Sequence, residues 1–320
     1  MSFVEGGLPQ PEVTAARLLG SAGLLADVSV EATPKQILDT DDAWRWLPPG
    51  SDVYVTTLGK DDLERRLAAA RALSDRGLRP VPHLPARALA SRAALDETLA
   101  AYRAFGIDGL LLVAGDVPAP AGPFHDTLGV LQTGLLERHG IRRLGIAGHP
   151  TGHPVASVAE LDRALDAKLD HARSSGVDVW VVTQFVFEAA ALKGWVARQS
   201  ARLAERDTAV PVRAGLAGPA STATLVNYAI QCGVGASARG LARRPDALRL
   251  FGRWSPDAIV ADLEAHRFAE PTTSITGLHL FPFGGLAATL RWLAEARQRA
   301  TGALADRATN EGPKAQGGVR

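Results

Sequence analysis

The sequence predicts an α/β protein, a single (β/α)8 TIM barrel with extra helices before its last strand. The first observation is a series of eight short apolar runs, most of which end in a polar residue or a glycine. The second is the helix-like segments between these runs, at a run-to-run spacing of about 30 residues, as expected of repeated βα units. In such a barrel all strands point the same way, so the residues that follow them share one face.

The eight runs are short and rich in valine and leucine, which is typical of buried strands. In chain order they cover residues 28–30, 53–55, 81–82, 110–113, 144–147, 179–182, 210–212 and 278–280. The residues that follow them are Glu31, Thr56, His83, Gly115 with Asp116, His149, Thr183 with Gln184, Gly215 and Phe281. The alternative, a doubly wound open sheet, normally carries a glycine-rich phosphate turn, and the sequence has neither GxGxxG nor GxxxxGK[ST].

The segments between the runs carry leucine and alanine at helical spacing. Four of them cover residues 60–76, 90–105, 126–139 and 157–175, and each is followed by a glycine, the commonest residue after a helix (Gly77, Gly106, Gly140 and Gly176). Extra helices are predicted over residues 239–250 and 255–266, and the closing helix over residues 284–299. The catalytic barrel domain is therefore predicted over residues 1–300, with a polar, disordered tail over residues 301–320.

Composition limits the classes of function. The 320 residues are 46% apolar and 22% charged, as in globular proteins, and the formal net charge of +1 gives no reason to expect nucleic acid. No apolar stretch reaches the roughly 18 residues of a membrane span, and no signal peptide is evident, so a cytoplasmic protein is expected. The single cysteine, Cys232, excludes a disulfide framework and is predicted to be buried. The sequence is compatible with a homo-oligomer and does not fix the oligomeric state.

Two carboxylates at predicted strand ends are candidate catalytic residues. Glu31 has apolar neighbours and suits a general acid, although a solvated carboxylate at a strand end is the alternative. Asp116 follows Gly115, which lets the backbone approach a ligand closely, so the carboxylate could bind a hydrogen-bond-donating ring or tune a cofactor. An N-cap or an Asx turn before Pro118 is the alternative for Asp116.

Three histidines lie at predicted strand ends or in the loop after them. His149 and His153 are four residues apart, but the prolines and the glycine around them prevent a helix that would set both on one face. Ligand contacts from a rigid loop are therefore favoured over a metal site, and a purely structural loop stays open. His83 could contact a phosphate or a ring, or it could be structural.

The strongest apolar strand ends in Thr183-Gln184-Phe185-Val186-Phe187. Gln184 offers a donor and an acceptor, which suits the edge of a heterocycle, and Phe185 can stack on a flat ring. Phe187 is interpreted as an ordinary core residue. No serine–histidine–acid order or nucleophile elbow is evident, so the sequence gives no indication of a hydrolase.

In order along the barrel, these residues resemble the motifs of the methylenetetrahydrofolate reductase family. The resemblance covers about residues 27 to 285 and lies in seven short motifs, of which each alone is weak. They are Ser29-Val30-Glu31 (S-x-E), Val55-Thr56 (V-T), Pro82-His83-Leu84 (P-H-L/T), Gly115-Asp116-Val117-Pro118 (G-D-x-P), His149-Pro150 with His153-Pro154 (P-x-x-H-P), Thr183-Gln184-Phe185 with Phe187 (T-Q-F-x-F), and Gly215-Leu216 with Pro219 (P-G-I-x-P).

The resemblance implies a barrel that binds FAD at the strand ends, takes hydride from NADH or NADPH, and reduces 5,10-methylenetetrahydrofolate to 5-methyltetrahydrofolate. It assigns Glu31 as the general acid and places Asp116 between flavin and pterin. Gln184, Phe185 and Leu216 would contact the folate. The flavin site would be lined by Thr56, His83, Gly115, Asp116, His149, His153 and Lys168, of which Lys168 would reach the phosphate. A folate substrate and one-carbon metabolism leading to methionine are therefore expected.

The chain departs from the family pattern mostly on the flavin side. Ala114 replaces an arginine before Gly-Asp, His149 replaces a loop tyrosine, and Thr57-Leu58 replaces Tyr in Thr-Tyr-Gly. Ala214 replaces the proline before Gly-Ile. Two alternatives to the biosynthetic reductase remain. One is a relative that oxidises 5-methyltetrahydrofolate in methyl catabolism, and the other is a non-redox barrel for folate binding or methyl transfer.

Overall fold

Eight parallel strands close into a barrel, which confirms the predicted (β/α)8 fold. The computed structural model describes residues 23–40, 42–57, 62–232, 234 and 253–310. Its strands are β1 (Val28–Ala32), β2 (Asp52–Val55), β3 (Arg79–Pro85), β4 (Gly109–Val113), β5 (Arg143–Gly148), β6 (Asp178–Thr183), β7 (Val212–Ala217), β8 (Ala220–Ser221), β9 (Arg253–Trp254) and β10 (Ile275–Phe281). The barrel order is β1-β10-β7-β6-β5-β4-β3-β2, and β8 and β9 form a separate antiparallel pair. The barrel closes where β1 pairs with β10.

Helices surround the barrel in the positions that the sequence predicts. They are α1 (Pro34–Asp39), α2 (Leu63–Asp75), α3 (Arg92–Ala104), α4 (Thr127–Leu131), α5 (Leu135–Arg138), α6 (Val158–Ser175), α7 (Ala189–Ala204), α8 (Thr222–Gln231), α9 (Asp257–Ala269) and α10 (Leu286–Asn310). Two short 3-10 turns cover Asp42–Trp46 and Ala86–Ala88. The predicted helix over residues 255–266 is confirmed as α9, whereas the one over 239–250 lies outside the described residues.

Local signals account for where the helices begin and end. The glycines predicted to follow four helices all have positive φ, between 68° and 74° (Gly77, Gly106, Gly140 and Gly176). Ser157 starts α6 with a capping box, in which its hydroxyl accepts from Glu160 N and the Glu160 carboxylate accepts in return. The single helix predicted over residues 126–139 is two short helices, because Gly134 adopts a left-handed conformation at φ +68°.

The closing helix is longer than predicted. α10 runs from Leu286 to Asn310, so it covers the first ten positions of the segment predicted as a disordered tail. Alanine and leucine recur in this stretch, and both are good helix formers. Residues 311–320 lie outside the described residues.

Inward-facing side chains fill the barrel in layers, as alternation along the strands requires. The lowest layer is charged, and Asp52 at the start of β2 forms ion pairs with Arg79, Arg143 and Arg213. The middle layer contains Tyr54, whose hydroxyl accepts a hydrogen bond from Trp180 Nε1 at 2.6 Å. Since β2 and β6 are not neighbours, this bond crosses the barrel.

The largest apolar core lies between the barrel and the helices. It is made by the outward-facing strand residues, such as Val30, Ile146 and Val181, together with the inner faces of the helices. A second cluster of aromatic and aliphatic residues lies beside β7 and α8 and includes Phe185 and Phe187. These cores hold the strand ends, and therefore the mouth of the barrel, in fixed positions.

Two remaining features concern the chain as a whole. None of the helices in the described residues is long and apolar enough to cross a membrane. The prediction that Cys232 is buried is wrong, because it follows the last residue of α8 and is exposed.

Candidate functional site

The predicted site residues come together at the carboxyl-terminal mouth of the barrel. Burial and electrostatic contacts link them across strands that are far apart in sequence. His83 interacts with Glu31 and Asp116, His153 with Asp116, and His149 with His153 and Lys168. The polar side chains of the mouth therefore come from β1, β3, the loops after β4 and β5, and α6.

Glu31 lies at the end of β1, and its side chain is 19% exposed. Its Oε2 is 3.8 Å from Nε2 of His279, which lies on β10 and is buried. The other ring nitrogen of His279, Nδ1, is 2.9 Å from the hydroxyl of Ser29, which is fully buried. A serine, an imidazole and a carboxylate thus form a chain from the barrel interior to the mouth.

Burial lowers the pKa of His279, and the neighbouring Glu31 carboxylate opposes the shift only in part. Tyr54 packs edge-on against the ring at a centroid distance of 4.5 Å, and Phe281 does so at 4.8 Å. These contacts fix the orientation of the imidazole, and with it the nitrogen that faces Glu31.

His83 lies on β3, two residues before the strand ends and three strands away from β10 around the barrel. Burial lowers its pKa to about 4, so the ring is neutral at neutral pH. Its Nε2 is buried and has no hydrogen-bond partner within the part of the chain that the structure describes. A buried polar atom without a partner costs free energy unless a water or a ligand satisfies it. His83 Nε2 is therefore a candidate contact for a ligand.

The loop after β5 carries a second buried histidine. Burial lowers the pKa of His149 to about 4, and Gln184 beside it opposes the shift. Nδ1 of His149 and Oε1 of Gln184 are both buried, and the two side chains lie close enough to interact with each other. The His153 ring packs edge-on against His149 at a centroid distance of 5.1 Å. Lys168, on α6, is mostly buried, which lowers its pKa.

The β4 end of the mouth is open to solvent. Gly115 has φ +92°, and a Cβ there would lie 3.0 Å from Pro85 Cβ, so the turn requires glycine. This turn presents Asp116, which is exposed at the rim. Thr56, at the end of β2, is buried, and its hydroxyl donates to Ala32 O at 3.4 Å.

Phe185 and Leu216 lie in different clusters. Arg213 faces the barrel interior on β7, so alternation turns Leu216 outward into the core beneath the helices, whereas Phe185 belongs to the cluster beside β7 and α8. Both are buried, at 2% and 0% exposure. Phe185 packs against Phe187, Phe281 and Phe283, and the interpretation of Phe187 as core is confirmed. A direct folate contact by Phe185 or Leu216 stays a prediction.

Neither Ser29 nor His279 was among the residues to which the sequence predicted a role. The charged layer at the bottom of the barrel was not predicted either. A histidine inside the apolar run 278–280 was the available signal for His279. Charged residues at the first positions of several strands were the signal for the charged layer, since Asp52, Arg79 and Arg143 begin β2, β3 and β5. Neither signal identifies the partner across the barrel.

The mouth presents neutral imidazoles and carboxylates, not a metal-binding cluster. Among the residues that the structure describes, no three His, Cys, Asp or Glu side chains are arranged to hold a metal ion. Together, the fold and the mouth define a (β/α)8 barrel with a carboxylate that can exchange a proton and several buried polar atoms that can bind a ligand.

Comparison with known proteins shows the fold. No protein-family model matches the chain. An uncharacterized protein from Clostridium thermocellum that binds two copies of 5-methyl-5,6,7,8-tetrahydrofolic acid superposes with a TM-score of 0.54 at 10% identity, over 89% of this chain and 99% of that one. Dihydropteroate synthase from Thermus thermophilus gives a TM-score of 0.45 at 17% identity, over 87% of this chain and 92% of that one. A xylose isomerase domain containing protein from Salmonella typhimurium gives 0.45 at 13% identity, over 89% of this chain and 100% of that one.

Proposed function

We propose that the barrel binds a reduced folate at its mouth and interconverts 5,10-methylenetetrahydrofolate and 5-methyltetrahydrofolate, with NADH or NADPH as the electron donor. The observation that carries the proposal is Glu31, a largely enclosed carboxylate at the mouth with the buried His279 behind it. A pure binding site has no need of a carboxylate held against a buried imidazole.

The mouth offers suitable groups for a pterin. A pterin edge carries amide and amine groups, which pair with the buried Oε1 of Gln184 and with Asp116 at the rim. The Clostridium thermocellum protein, similar only in fold, holds 5-methyltetrahydrofolate on the same kind of barrel. This supports the choice of a reduced folate as the ligand.

The reaction requires one proton and one hydride. Opening the methylene bridge breaks the bond from the methylene carbon to one folate nitrogen, and the proton from Glu31 goes to that nitrogen. The carbon then receives a hydride and becomes the methyl group, while NADH or NADPH is oxidised to NAD⁺ or NADP⁺. Glu31 can supply the proton because it alone of the predicted catalytic pair lies inside the mouth; Asp116 stands at the rim.

FAD is the cofactor that the sequence resemblance implies. The mouth fits a flat ring in its hydrogen-bonding chemistry, because His83 Nε2 is buried without a partner among the described residues. The isoalloxazine ring would be held by Thr56, His83, Gly115, His149 and His153. The phosphates would lie near Lys168. When bound, FAD would carry hydride between the nicotinamide and the folate.

The first test is the visible absorption spectrum of the purified protein, followed anaerobically as 5-methyltetrahydrofolate is added. A yellow protein that bleaches on addition is the expected result for a flavin-dependent folate oxidoreductase. A protein that stays colourless with added FAD would remove FAD from the proposal. Turnover with NADH and NADPH would then separate a flavin-independent reductase from a non-redox folate protein.

Replacing Glu31 with glutamine tests the proton donor. Glu31→Gln should keep folate binding and lower turnover by about 10²–10⁴-fold, as for the loss of a general acid. Glu97→Gln, on the exposed face of α3, is the matched control and should turn over like the wild type. Near-normal turnover in Glu31→Gln would exclude the assigned role.

Replacing Asp116 with asparagine tests whether this carboxylate at the rim of the mouth contacts the folate. Asp116→Asn should weaken binding of 5-methyltetrahydrofolate or slow its oxidation by about tenfold, since a charged hydrogen-bond partner contributes about 1.5–3 kcal/mol. Calorimetric titration and steady-state kinetics measure the two effects. If neither changes, Asp116 is not part of the site.

A non-redox folate-binding barrel is the second candidate. It is favoured by the similarity in fold to the uncharacterized Clostridium thermocellum protein that binds 5-methyltetrahydrofolate. Tight binding of 5-methyltetrahydrofolate with no turnover of NADH or NADPH, in either direction and with FAD supplied, would select this candidate. A relative that works in the direction of 5-methyltetrahydrofolate oxidation would use the same residues, and only the measured direction distinguishes it.

A further inference from the structure

The ring of Tyr54 lies between the charged layer and the mouth and contacts two buried histidines. Val53 and Val55 on the same strand belong to the core between the barrel and the helices, so alternation turns Tyr54 inward. Its side chain is fully buried. The ring packs edge-on against His279 at a centroid distance of 4.5 Å and against His83 at 6.1 Å. One ring therefore supports imidazoles from β10 and β3.

The hydroxyl of Tyr54 is held below the mouth by two donors. It accepts a hydrogen bond from Trp180 Nε1 at 2.6 Å and another from the guanidinium of Arg213. Arg213 is fixed in turn by Asp52 at 2.7 Å. Burial raises the pKa of Tyr54, so the hydroxyl keeps its proton at neutral pH. Because these partners belong to other strands, they fix the direction in which the ring points.

Gly145 leaves the space that Trp180 needs to reach Tyr54. Gly145 on β5 lies beside Trp180 on β6 in the strand register. A Cβ at residue 145 would lie 3.0 Å from the Trp180 ring and 3.0 Å from the Leu111 side chain. The guanidinium of Arg143 lies over the same indole, 5.3 Å from its centroid. Neighbours on β4 and β5 therefore hold the indole in the position from which it donates.

The two histidines that contact the ring also surround Glu31. Glu31 interacts electrostatically with both His279 and His83. Nε2 of His279 is 3.8 Å from Oε2 of Glu31, and Nε2 of His83 is the buried atom that has no partner within the described part of the chain. A rotation of the Tyr54 ring would therefore move two groups at once, the imidazole behind the carboxylate and the candidate ligand contact.

Filling of space does not explain why residue 54 is a tyrosine. Phenylalanine would occupy the same volume, and it would bury no hydroxyl, whose burial costs free energy unless the group is hydrogen-bonded. The Tyr54 hydroxyl points towards the charged layer, since its partner Arg213 pairs with Asp52 there. It therefore cannot contact a ligand in the mouth, and its remaining effect is to fix the ring.

We infer that Tyr54 is a positioning residue that orients His279 and His83 in the mouth. Its hydroxyl, held by Trp180 and Arg213, keeps the ring in one orientation. Reacting groups need support of this kind, because they have to be held within about 0.5 Å of their productive positions. The effect of Tyr54 on turnover rests on the proposed function, whereas its effect on the two imidazoles does not.

The first test compares Tyr54→Phe with Tyr102→Phe by NMR of the full-length protein labelled with ¹⁵N-histidine. Tyr102 on α3 is the matched control, because it is also buried and its hydroxyl also accepts a hydrogen bond, from Arg66 at 3.1 Å. The imidazole signals of His83 and His279 are assigned with glutamine variants of each. We expect both signals to shift and broaden in Tyr54→Phe and to stay unchanged in Tyr102→Phe. Unchanged signals in Tyr54→Phe would overturn the inference.

Trp180→Phe is the sharper variant, and it also serves if Tyr54→Phe does not fold. It keeps the Tyr54 ring and removes one donor to the hydroxyl, so a change at His279 and His83 must pass through the orientation of that ring. We expect the same changes as in Tyr54→Phe, with no further change in the double variant, because both substitutions break one bond. Wild-type signals in Trp180→Phe, or fully additive changes, would contradict the inference.

Steady-state kinetics with 5-methyltetrahydrofolate separate positioning from ligand contact. Tyr54→Phe should lower kcat by up to about tenfold, the contribution of one hydrogen bond, and leave the affinity for the folate unchanged. An equal loss of kcat in Tyr102→Phe, or a loss of affinity without a loss of kcat in Tyr54→Phe, would refute a positioning role. If the wild type shows no turnover, the proposed function fails, and the NMR comparison decides the inference about Tyr54 by itself.

Discussion

Replacing Asp52 with asparagine should destabilise the barrel more than any exposed charge change. The Asp52 side chain is 1% exposed and contacts Arg79 at 3.0 Å, Arg143 at 3.1 Å and Arg213 at 2.7 Å. Asparagine has nearly the same shape but no charge, so the three guanidinium groups would lose their shared counter-charge in the lowest layer of the barrel. The variant therefore tests the electrostatic contribution without creating a cavity.

The size of the loss in stability depends on the other ion pairs that the three arginines form. Breaking a buried ion pair by removing one partner typically costs 3–5 kcal/mol. Arg213 keeps Asp27 at 3.0 Å and Arg143 keeps Asp108 at 3.7 Å, while Arg79 is about half exposed. Because these contacts compensate in part, we expect the lower end of that range, a loss of about 3 kcal/mol, or roughly a hundredfold in the unfolding constant.

Urea denaturation, followed by far-UV circular dichroism and by tryptophan fluorescence, measures this loss as a shift of the midpoint. Asp39→Asn is the control, because the pair between Lys35 and Asp39 is exposed at both ends and should contribute less than about 1 kcal/mol. If Asp52→Asn and Asp39→Asn shift the midpoint equally, the charged layer does not stabilise the fold and the reasoning is refuted.

Two further predictions concern the stability of the mouth. Burial lowers the pKa values of His83 and His149 to about 4 in the folded protein, whereas an unfolded histidine has a pKa of about 6.5. Between these pH values the unfolded chain binds protons that the folded chain does not. The free energy of unfolding should therefore fall from pH 6.5 to pH 4, by up to about 1.4 kcal/mol per pH unit for each histidine. Urea midpoints that stay constant over this range would show that these rings are not buried and neutral. Gly215→Ala should lower the free energy of unfolding by about 2 kcal/mol, because the new Cβ would lie 2.2 Å from Thr183 O. Gly194→Ala should raise it slightly, because a Cβ there meets nothing within 4 Å and alanine favours a helix more than glycine does. Thermal unfolding of both variants measures this contrast, and equal shifts would contradict it.

The fold could be predicted because local signals and topology agree. Strand ends, helix spacing and the glycines after the helices each have a local cause, and the closed barrel follows from their repetition. The break at Gly134 was visible as a glycine inside a helical pattern, but propensity alone does not decide whether such a glycine interrupts a helix. The position of the mouth was predictable for the same reason, since parallel strands bring their ends to one face.

The parts that were not predicted depend on which strands and helices are neighbours. Phe185 follows the end of β6 and packs with Phe187, Phe281 and Phe283 in the cluster beside β7 and α8, a set of contacts that depends on three separate segments of the chain. The contact between Glu31 and His279 requires that the first and last strands pair.

The pairing of β1 with β10 also determines when Glu31 and His279 can meet during folding. Ser29 and His279 are 250 residues apart in sequence, and their hydrogen bond lies across the closing seam of the barrel. Contacts between residues so far apart in sequence require a large loss of chain entropy to close the loop, and they form late in folding. During synthesis or refolding, the carboxylate of Glu31 would meet its imidazole only when the eighth barrel strand docks. The recovery of the proposed turnover during refolding would therefore report when the barrel closes. Closure would follow the formation of most of the secondary structure.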